Sequence, residues 1–208
     1  MTLNLLLDCS NNENKVNNLS KNFIFNVVTK TPVKEHFFAF KENGLNFFLS
    51  SNDTKPLHID FLKGSMGWRL KRSDHEKLLK KTLGKSSESL CIFDGTAGLL
   101  SDTLIFLALG HKVIACEQSK ILFILLLDAI ERAKDQLPFI GNLKLLNGNS
   151  TECFKDYTNI DVIYLDPMYP EPKKNVLRSG NIARIKEILQ IEMITDQGDD
   201  IFYEFKEY

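Results

Sequence analysis

The segment Asp166-Pro167-Met168-Tyr169-Pro170 places a carboxylate, two rigid prolines and an aromatic ring directly after the apolar run Val162-Ile163-Tyr164-Leu165. That run reads as a buried strand, so the polar group stands at a strand's carboxyl end. An exocyclic amine on a purine is a poor nucleophile, because its lone pair is delocalised into the ring. Its chemistry needs alignment and hydrogen-bond acceptors more than a strong base. The Asp166 carboxylate and the Pro167 carbonyl supply two acceptors, and the prolines restrict φ and hold that carbonyl in place. Tyr169 can stack on a base, and Asp166 or water can take the proton released. Alone, Asp-Pro-x-Tyr is equally an ordinary strand-ending turn. Its meaning depends on what the rest of the sheet carries.

Upstream, Ile92-Phe93-Asp94-Gly95-Thr96-Ala97-Gly98 reads as a strand, a small-residue turn and a helix start. A nucleoside with a sulfonium and an amino-acid tail needs a close backbone approach at such a turn, and Gly95, Ala97 and Gly98 permit one. Glu117 follows Val113-Ile114-Ala115-Cys116 and can grip two ribose hydroxyls. Asn149 and Ser150, after a third strand, can address an adenine edge. Dinucleotide folds also carry an acid after the second strand. Here, however, there is no G-x-G-x-x-G, and Asp94 would repel a pyrophosphate at the helix start. The two halves together point to a methyltransferase that uses S-adenosylmethionine (SAM) and modifies an exocyclic nitrogen of a base.

The elements that must position these groups alternate. Strands are expected at Leu90–Asp94, Lys112–Glu117, Leu143–Asn147 and Asp161–Asp166. Helices are expected at Asp74–Leu83 (capped by Ser73), Leu99–Leu109, Ser119–Lys134, near Thr151–Phe154, and at Ile182–Glu192. A last strand is expected at Ile201–Phe205. The fold class is α/β, a doubly wound, mostly parallel Rossmann-like sheet whose ligands bind beyond the strands' carboxyl ends. Ahead of it, residues 10–22 look like a loop and Phe23–Val28 like a strand. His36–Phe40 and Leu45–Leu49 flank Asn43-Gly44 as a hairpin. This gives a small N-terminal β appendage over residues 1–60 and a methyltransferase domain over 61–208, with 60–73 as a connector. The 42 residues after Asp166 are expected to hold one helix and one strand, which leaves the sheet truncated at about five strands.

With both halves placed, the chain resembles the ribosomal RNA small subunit methyltransferase J family over about residues 56–175. The resemblance rests on His58-Ile59-Asp60-Phe61-Leu62-Lys63-Gly64-Ser65-Met66, on Asp94-Gly95-Thr96-Ala97-Gly98-Leu99 with Asp102, and on Tyr164-Leu165-Asp166-Pro167-Met168-Tyr169-Pro170. It implies methylation of the 2-amino group of a guanosine in 16S rRNA, with SAM as cofactor and the small-subunit rRNA or assembling subunit as partner. It also implies cofactor contacts at Ser101, Asp102, Glu117, Gln118, Asn149, Ser150 and Asp166, beside the turn Asp94, Gly95, Thr96, Ala97 and Gly98. Several types depart from the family pattern. Gly-Arg-Asp becomes Leu100-Ser101-Asp102, Glu-Arg becomes Glu117-Gln118, and Ser-Ser becomes Asn149-Ser150. The family's Gly-rich basic loop shrinks to Arg69-Leu70-Lys71-Arg72. Two rivals stay open: an inactive RNA-binding relative, and an amino-methyltransferase for another planar amine such as DNA adenine or a protein amide.

Whole-chain properties narrow the classes further. The 208 residues carry a net charge of −1, so any nucleic-acid contact must come from a local patch. Arg69, Lys71 and Arg72, with Lys173, Lys174 and Arg178, are candidates for RNA phosphates or else a solvated surface. Trp68 reads either as a base-stacking ring or as a core or hairpin contact. The four cysteines lack ligand spacing and the four histidines do too, which argues against a metal site. Buried thiols suit a reducing cytosol, and a cytoplasmic location is expected. The start, with Asp8 interrupting Leu5-Leu6-Leu7, does not make a lipoprotein signal. No run is long enough to span a membrane.

Overall fold

The computed structural model describes residues 2–7, 13–84, 88–167, 180–195 and 200–206. In chain order the elements are β1 (Leu3–Leu6), α1 (Glu13–Asn22), β2 (Phe25–Val28), β3 (Phe37–Lys41), β4 (Gly44–Phe48), α2 (Gly64–Leu70) and α3 (Lys77–Thr82). They continue as β5 (Cys91–Asp94), α4 (Thr103–Ala108), β6 (Lys112–Glu117), α5 (Lys120–Ala133), β7 (Leu143–Asn147), α6 (Ser150–Phe154), β8 (Val162–Tyr164), α7 (Gly180–Ile191) and α8 (Asp200–Phe205).

The strands form two sheets, in the orders β2-β1-β3-β4 and β7-β6-β5-β8. The second is parallel throughout, as strand-helix alternation requires. Its register sets Asp94 opposite both Ala115 and Tyr164, and Glu117 opposite Asn147, so the polar groups gather at the carboxyl ends. Helix α5 is apolar on nearly every side and lies between the sheets, which is the usual place for such a helix. One continuous core joins Leu3, Leu5, Phe38 and Phe47 of the first sheet to Leu122 and Leu125 of α5 and Val113 of β6. Helix α8 packs on the opposite face of the second sheet, where Phe205 meets Phe93 and Phe154.

Several expectations need correction. Residues 13–22 form a helix in place of the expected loop; the helix is held by a sparse stripe in a polar background, with Val16 buried and Leu19 packed on the core. Strand β1 was not foreseen, and it joins β2 and β3 in parallel. The connector contains α2, and Asp74–Leu83 divides into a 3-10 turn at Ser73–His75 followed by α3, which Ser73 does not cap. The expected last strand is α8. Ile201 and Phe205 are four apart and both buried while Tyr203 is exposed, which is a helical stripe and not an alternation. The second sheet therefore has four strands among the described residues instead of about five.

At the hairpin between β3 and β4 the positive φ falls on Gly44 alone, at 119°. Asn43 instead accepts a hydrogen bond from Asn46 Nδ2 at 2.9 Å. The hairpin tip abuts α5, and Asp128 accepts from the Leu45 amide at 3.0 Å. A Cβ on Gly44 would stand 2.4 Å from Arg132 Nε. Gly44→Ala combines backbone strain with this clash and is expected to cost about 2–3 kcal/mol, read as a lower denaturation midpoint.

Candidate cofactor cavity and acceptor site

The carboxyl ends of β5, β6 and β8 face a cavity of about 340 Å³. Gly95, Thr96 and Gly98 from the first turn, Glu117 and Gln118 after β6, Ser150 at the start of α6, and Asp166 and Pro167 after β8 all line it. The two motifs separated by some seventy residues therefore meet. The link is direct: the Asp166 amide donates to Thr96 Oγ1 at 2.7 Å, and the Gly95 amide donates to the Tyr164 carbonyl at 3.1 Å. A side chain at position 95 would come within 2.8 Å of Leu165 Cδ2, so glycine is what lets these loops touch. No donor among the described residues engages the Asp166 carboxylate, which stands at the exposed mouth.

Other expected site residues make bonds within the fold. Asp94 is buried under the turn, where it accepts from the Thr96 amide at 3.0 Å and from the Thr103 hydroxyl. It shapes the turn and is not among the cavity-lining residues. Ala97 is buried, and its amide donates to the Cys116 carbonyl at 3.2 Å. Asn149 caps α6, with its Oδ1 accepting from the Thr151 and Glu152 amides at 3.0 and 3.2 Å, which draws it out of the wall. The Ser101 carbonyl accepts from Arg69 Nη1 at 3.2 Å, and Asp102 pairs with Arg69 at 2.7 Å while accepting from the Tyr164 hydroxyl at 2.6 Å. Ser101 and Asp102 thus brace the rim without lining the cavity. Arg69 also bonds Glu76 at 2.7 Å, so it is engaged structurally and is not a free phosphate ligand. Tyr169, Lys173, Lys174 and Arg178 lie outside the described residues.

Leu100, where the family carries glycine, adopts a left-handed backbone with φ 60°. That conformation favours glycine. The Leu100 side chain turns into the core, away from the cavity, and α4 begins at Thr103 instead of Leu99.

The far wall was not foreseen. It consists of Lys186, Leu189 and Gln190 on one face of α7, followed by Ile194 and Thr195. The spacing of 186, 189 and 190 marks a single helical face, but nothing in the residue types alone ties that face to the crevice. Glu192 secures this wall: its carboxylate accepts from the Ser119 hydroxyl and from the Lys120 and Ile121 amides at 3.0 and 3.2 Å, closing the start of α5. Arg184 bonds Asp53, tying α7 to the loop after β4.

Glu117 is only 7% exposed. Burial pushes its pKa up to about 8, against the pull of bonds from the Ser119 and Gly98 amides; the Glu192 and Asp94 carboxylates raise it further. Burial likewise lifts Asp94 to about 6 and raises Glu192. Asp166 is raised by partial burial, with Asp102 adding to the effect.

The residues present fit a SAM-sized nucleoside. A buried carboxylate faces the cavity where two hydroxyls would need an acceptor, Gly95 allows close backbone approach, and Leu122, Leu189 and Ile201 give apolar walls. Such a layout, on a parallel sheet with its cleft at the carboxyl ends, is that of a SAM-dependent methyltransferase. The family model described as "Putative SAM-dependent methyltransferase" matches residues 22–193. Ribosomal RNA small subunit methyltransferase J of Desulfotalea psychrophila is 34% identical over 141 residues, covering 65% of this chain and 54% of that protein. The protein of the same name from Nitrosococcus oceani is 36% identical, with coverages of 59% and 51%. That from Shewanella pealeana is 31% identical over 177 residues, with coverages of 79% and 70%. The chain belongs to the ribosomal RNA small subunit methyltransferase J family. It spans about half the length of the first two of these relatives. In fold it is similar to a SAM-dependent methyltransferase from Neisseria gonorrhoeae, with a TM-score of 0.66 at 22% identity, over 92% of this chain and 77% of that one.

Proposed function

We propose that the chain binds SAM in this cavity and transfers its methyl group to the exocyclic 2-amino group of a guanosine in small-subunit rRNA. Residues 61–208 carry the chemistry and the N-terminal sheet braces them. The observation that carries this reading is the junction of the two motifs, with Asp166 bonded to Thr96 at the mouth of the cavity that Glu117 lines.

Bound there, SAM supplies an electrophilic methyl carbon. The chain's own residues provide the alignment. Glu117, when ionised, accepts from paired ribose hydroxyls, and Ser150 lines the wall beside Gly95. The Asp166 carboxylate and Pro167 carbonyl accept the two N–H bonds of the target amine and turn its lone pair toward the cavity. Tyr169, by its type and place, stacks on the base. As the amine nitrogen gains the methyl group it would shed one proton, which Asp166 or water would take. The names of the relatives direct the choice of substrate to small-subunit rRNA, which would place the chain in the cytoplasm with assembling subunits.

The test is methyl transfer from labelled SAM to 16S rRNA or small subunits lacking the guanosine mark. Label recovered in N2-methylguanosine is the expected outcome. Label only in DNA adenine or in a protein amide would transfer the chain to another substrate class. RNA binding without transfer would make it an inactive relative.

A further inference from the structure

We propose that the outward face of α2 and α3 is a docking surface for single-stranded RNA, on which Trp68 stacks an unpaired base next to the reacting site. The proposal deepens the reading above by naming the part of the molecule that holds the substrate away from the reacting amine.

Trp68 is 61% exposed, although tryptophan is a residue that folding normally hides. It is not loose. Gly67 beside it lies against the Leu62 backbone so closely that a Cβ would stand 2.3 Å from the Leu62 carbonyl oxygen. Arg69, the next residue, is fixed to Glu76, Asp102 and the Ser101 carbonyl. One side of α2 is therefore pinned to the rim of the cavity, and the indole points out from a rigid mount. The Arg72 guanidinium lies 4.7 Å from the ring centroid and covers one face. The remaining exposed surface is free to take a planar partner.

The charge around the ring is local and one-sided. Between Lys63 and Lys81 there are seven basic and two acidic residues, in a chain of net charge −1. Both acids are engaged, Asp74 with Lys80 and Glu76 with Arg69. Lys71, Arg72, Lys77 and Lys81 are exposed and pair with no carboxylate among the described residues. A rigid aromatic face flanked by free cations matches a nucleic-acid strand whose bases are splayed and whose phosphates run alongside. The mount connects to the chemistry through Arg69, Asp102 and Tyr164, two residues before Asp166. In the proposed complex, a strand laid over Trp68 extends from this mount toward the cavity mouth.

The chain contains one tryptophan, so its emission reports on this ring alone. A 12-nucleotide single-stranded RNA of mixed sequence, titrated into the intact chain without SAM, is expected to quench that emission, and the matching duplex is expected to quench it much less. By anisotropy of labelled RNA, Trp68→Ala should weaken single-strand binding about tenfold and Trp68→Phe less, with SAM affinity unchanged as the check on folding. Lys71→Ala and Lys77→Ala should each flatten the salt dependence by about one phosphate contact. RNA binding with unaltered emission, equal affinity for the duplex, an unweakened Trp68→Ala, or no RNA binding at all would overturn the proposal. Quenching by RNA without any methyl transfer would leave this surface standing and remove the enzymatic reading. Transfer that is indifferent to Trp68→Ala would do the reverse.

Discussion

Asp166→Ala is expected to lower methyl transfer about a hundredfold to a thousandfold while SAM affinity and the denaturation midpoint stay nearly unchanged. The size follows from removing a preorganised acceptor whose value lies in holding the amine at the moment of reaction. Stability is spared because the Asp166 amide, not its carboxylate, makes the bond to Thr96 Oγ1, and alanine keeps that amide. Asp166→Asn retains one acceptor oxygen and should fall between alanine and the parent. Only the ionised carboxylate can also take the proton that the amine sheds. Since its pKa is raised by partial burial and then by Asp102, the single-turnover rate should climb with pH through that raised value and the climb should vanish in the alanine variant. Single-turnover transfer of a labelled methyl group measures all three, and undiminished transfer by Asp166→Ala would remove the acceptor role.

Glu117→Gln is expected to act in opposite directions on binding and on stability. The buried carboxyl has a folded-state pKa of about 8, against an ordinary value of 4.5. The folded chain therefore holds a proton that the unfolded chain has lost over the interval between those values. Stability falls as pH rises from about 4.5 to about 8, by an amount on the order of several kcal/mol when complete. Asp94, at about 6, works in the same sense. Glutamine is neutral at every pH, so Glu117→Gln should raise the denaturation midpoint at pH 9 and change it little at pH 5. Binding runs the other way. Ribose hydroxyls donate best to a carboxylate, so SAM affinity of the parent should improve about tenfold between pH 7 and pH 9. The glutamine variant should bind about ten- to a hundredfold more weakly at pH 9 and show no such dependence. Calorimetry at the two pH values measures the binding, thermal melts measure the stability, and a pH-independent parent would show that Glu117 does not hold the ligand in its charged form.

What the sequence shows and what it conceals divides along physical lines. Val113–Cys116 and Val162–Leu165 are unbroken apolar runs closed by an acid, and such runs in alternation with helices leave little choice but a parallel sheet. The meeting of the Gly95 turn with Asp166 follows from that topology, since β5 and β8 are neighbours. Where a residue type fits two jobs, the sequence leaves the structural one unread. Asn149 suits an adenine edge and a helix cap, and in the fold its side chain caps α6. Asp102 suits a ligand and a brace, and in the fold it bonds Arg69 and Tyr164. Ile201 to Phe205 mixes β-favouring residues with a spacing of four, and the apolar floor beneath Phe93 and Phe154 decides for a helix. The α7 wall is hidden for another reason: its placement depends on Glu192 finding the start of α5 some seventy residues away, a tertiary bond with no local signature.

The position of α5 also dictates a sequence of events during translation. The strands up to Phe48 leave the ribosome long before residues 120–133 do, yet the core that holds Leu3, Leu5, Phe38 and Phe47 is shared with that later helix, which packs against β4. The nascent N-terminal sheet must therefore wait with part of its oily surface uncovered, through some seventy further residues of synthesis, before its partner emerges. Slow translation across this interval would lengthen the exposure, and the waiting sheet is the form on which a nascent-chain chaperone would have most to hold.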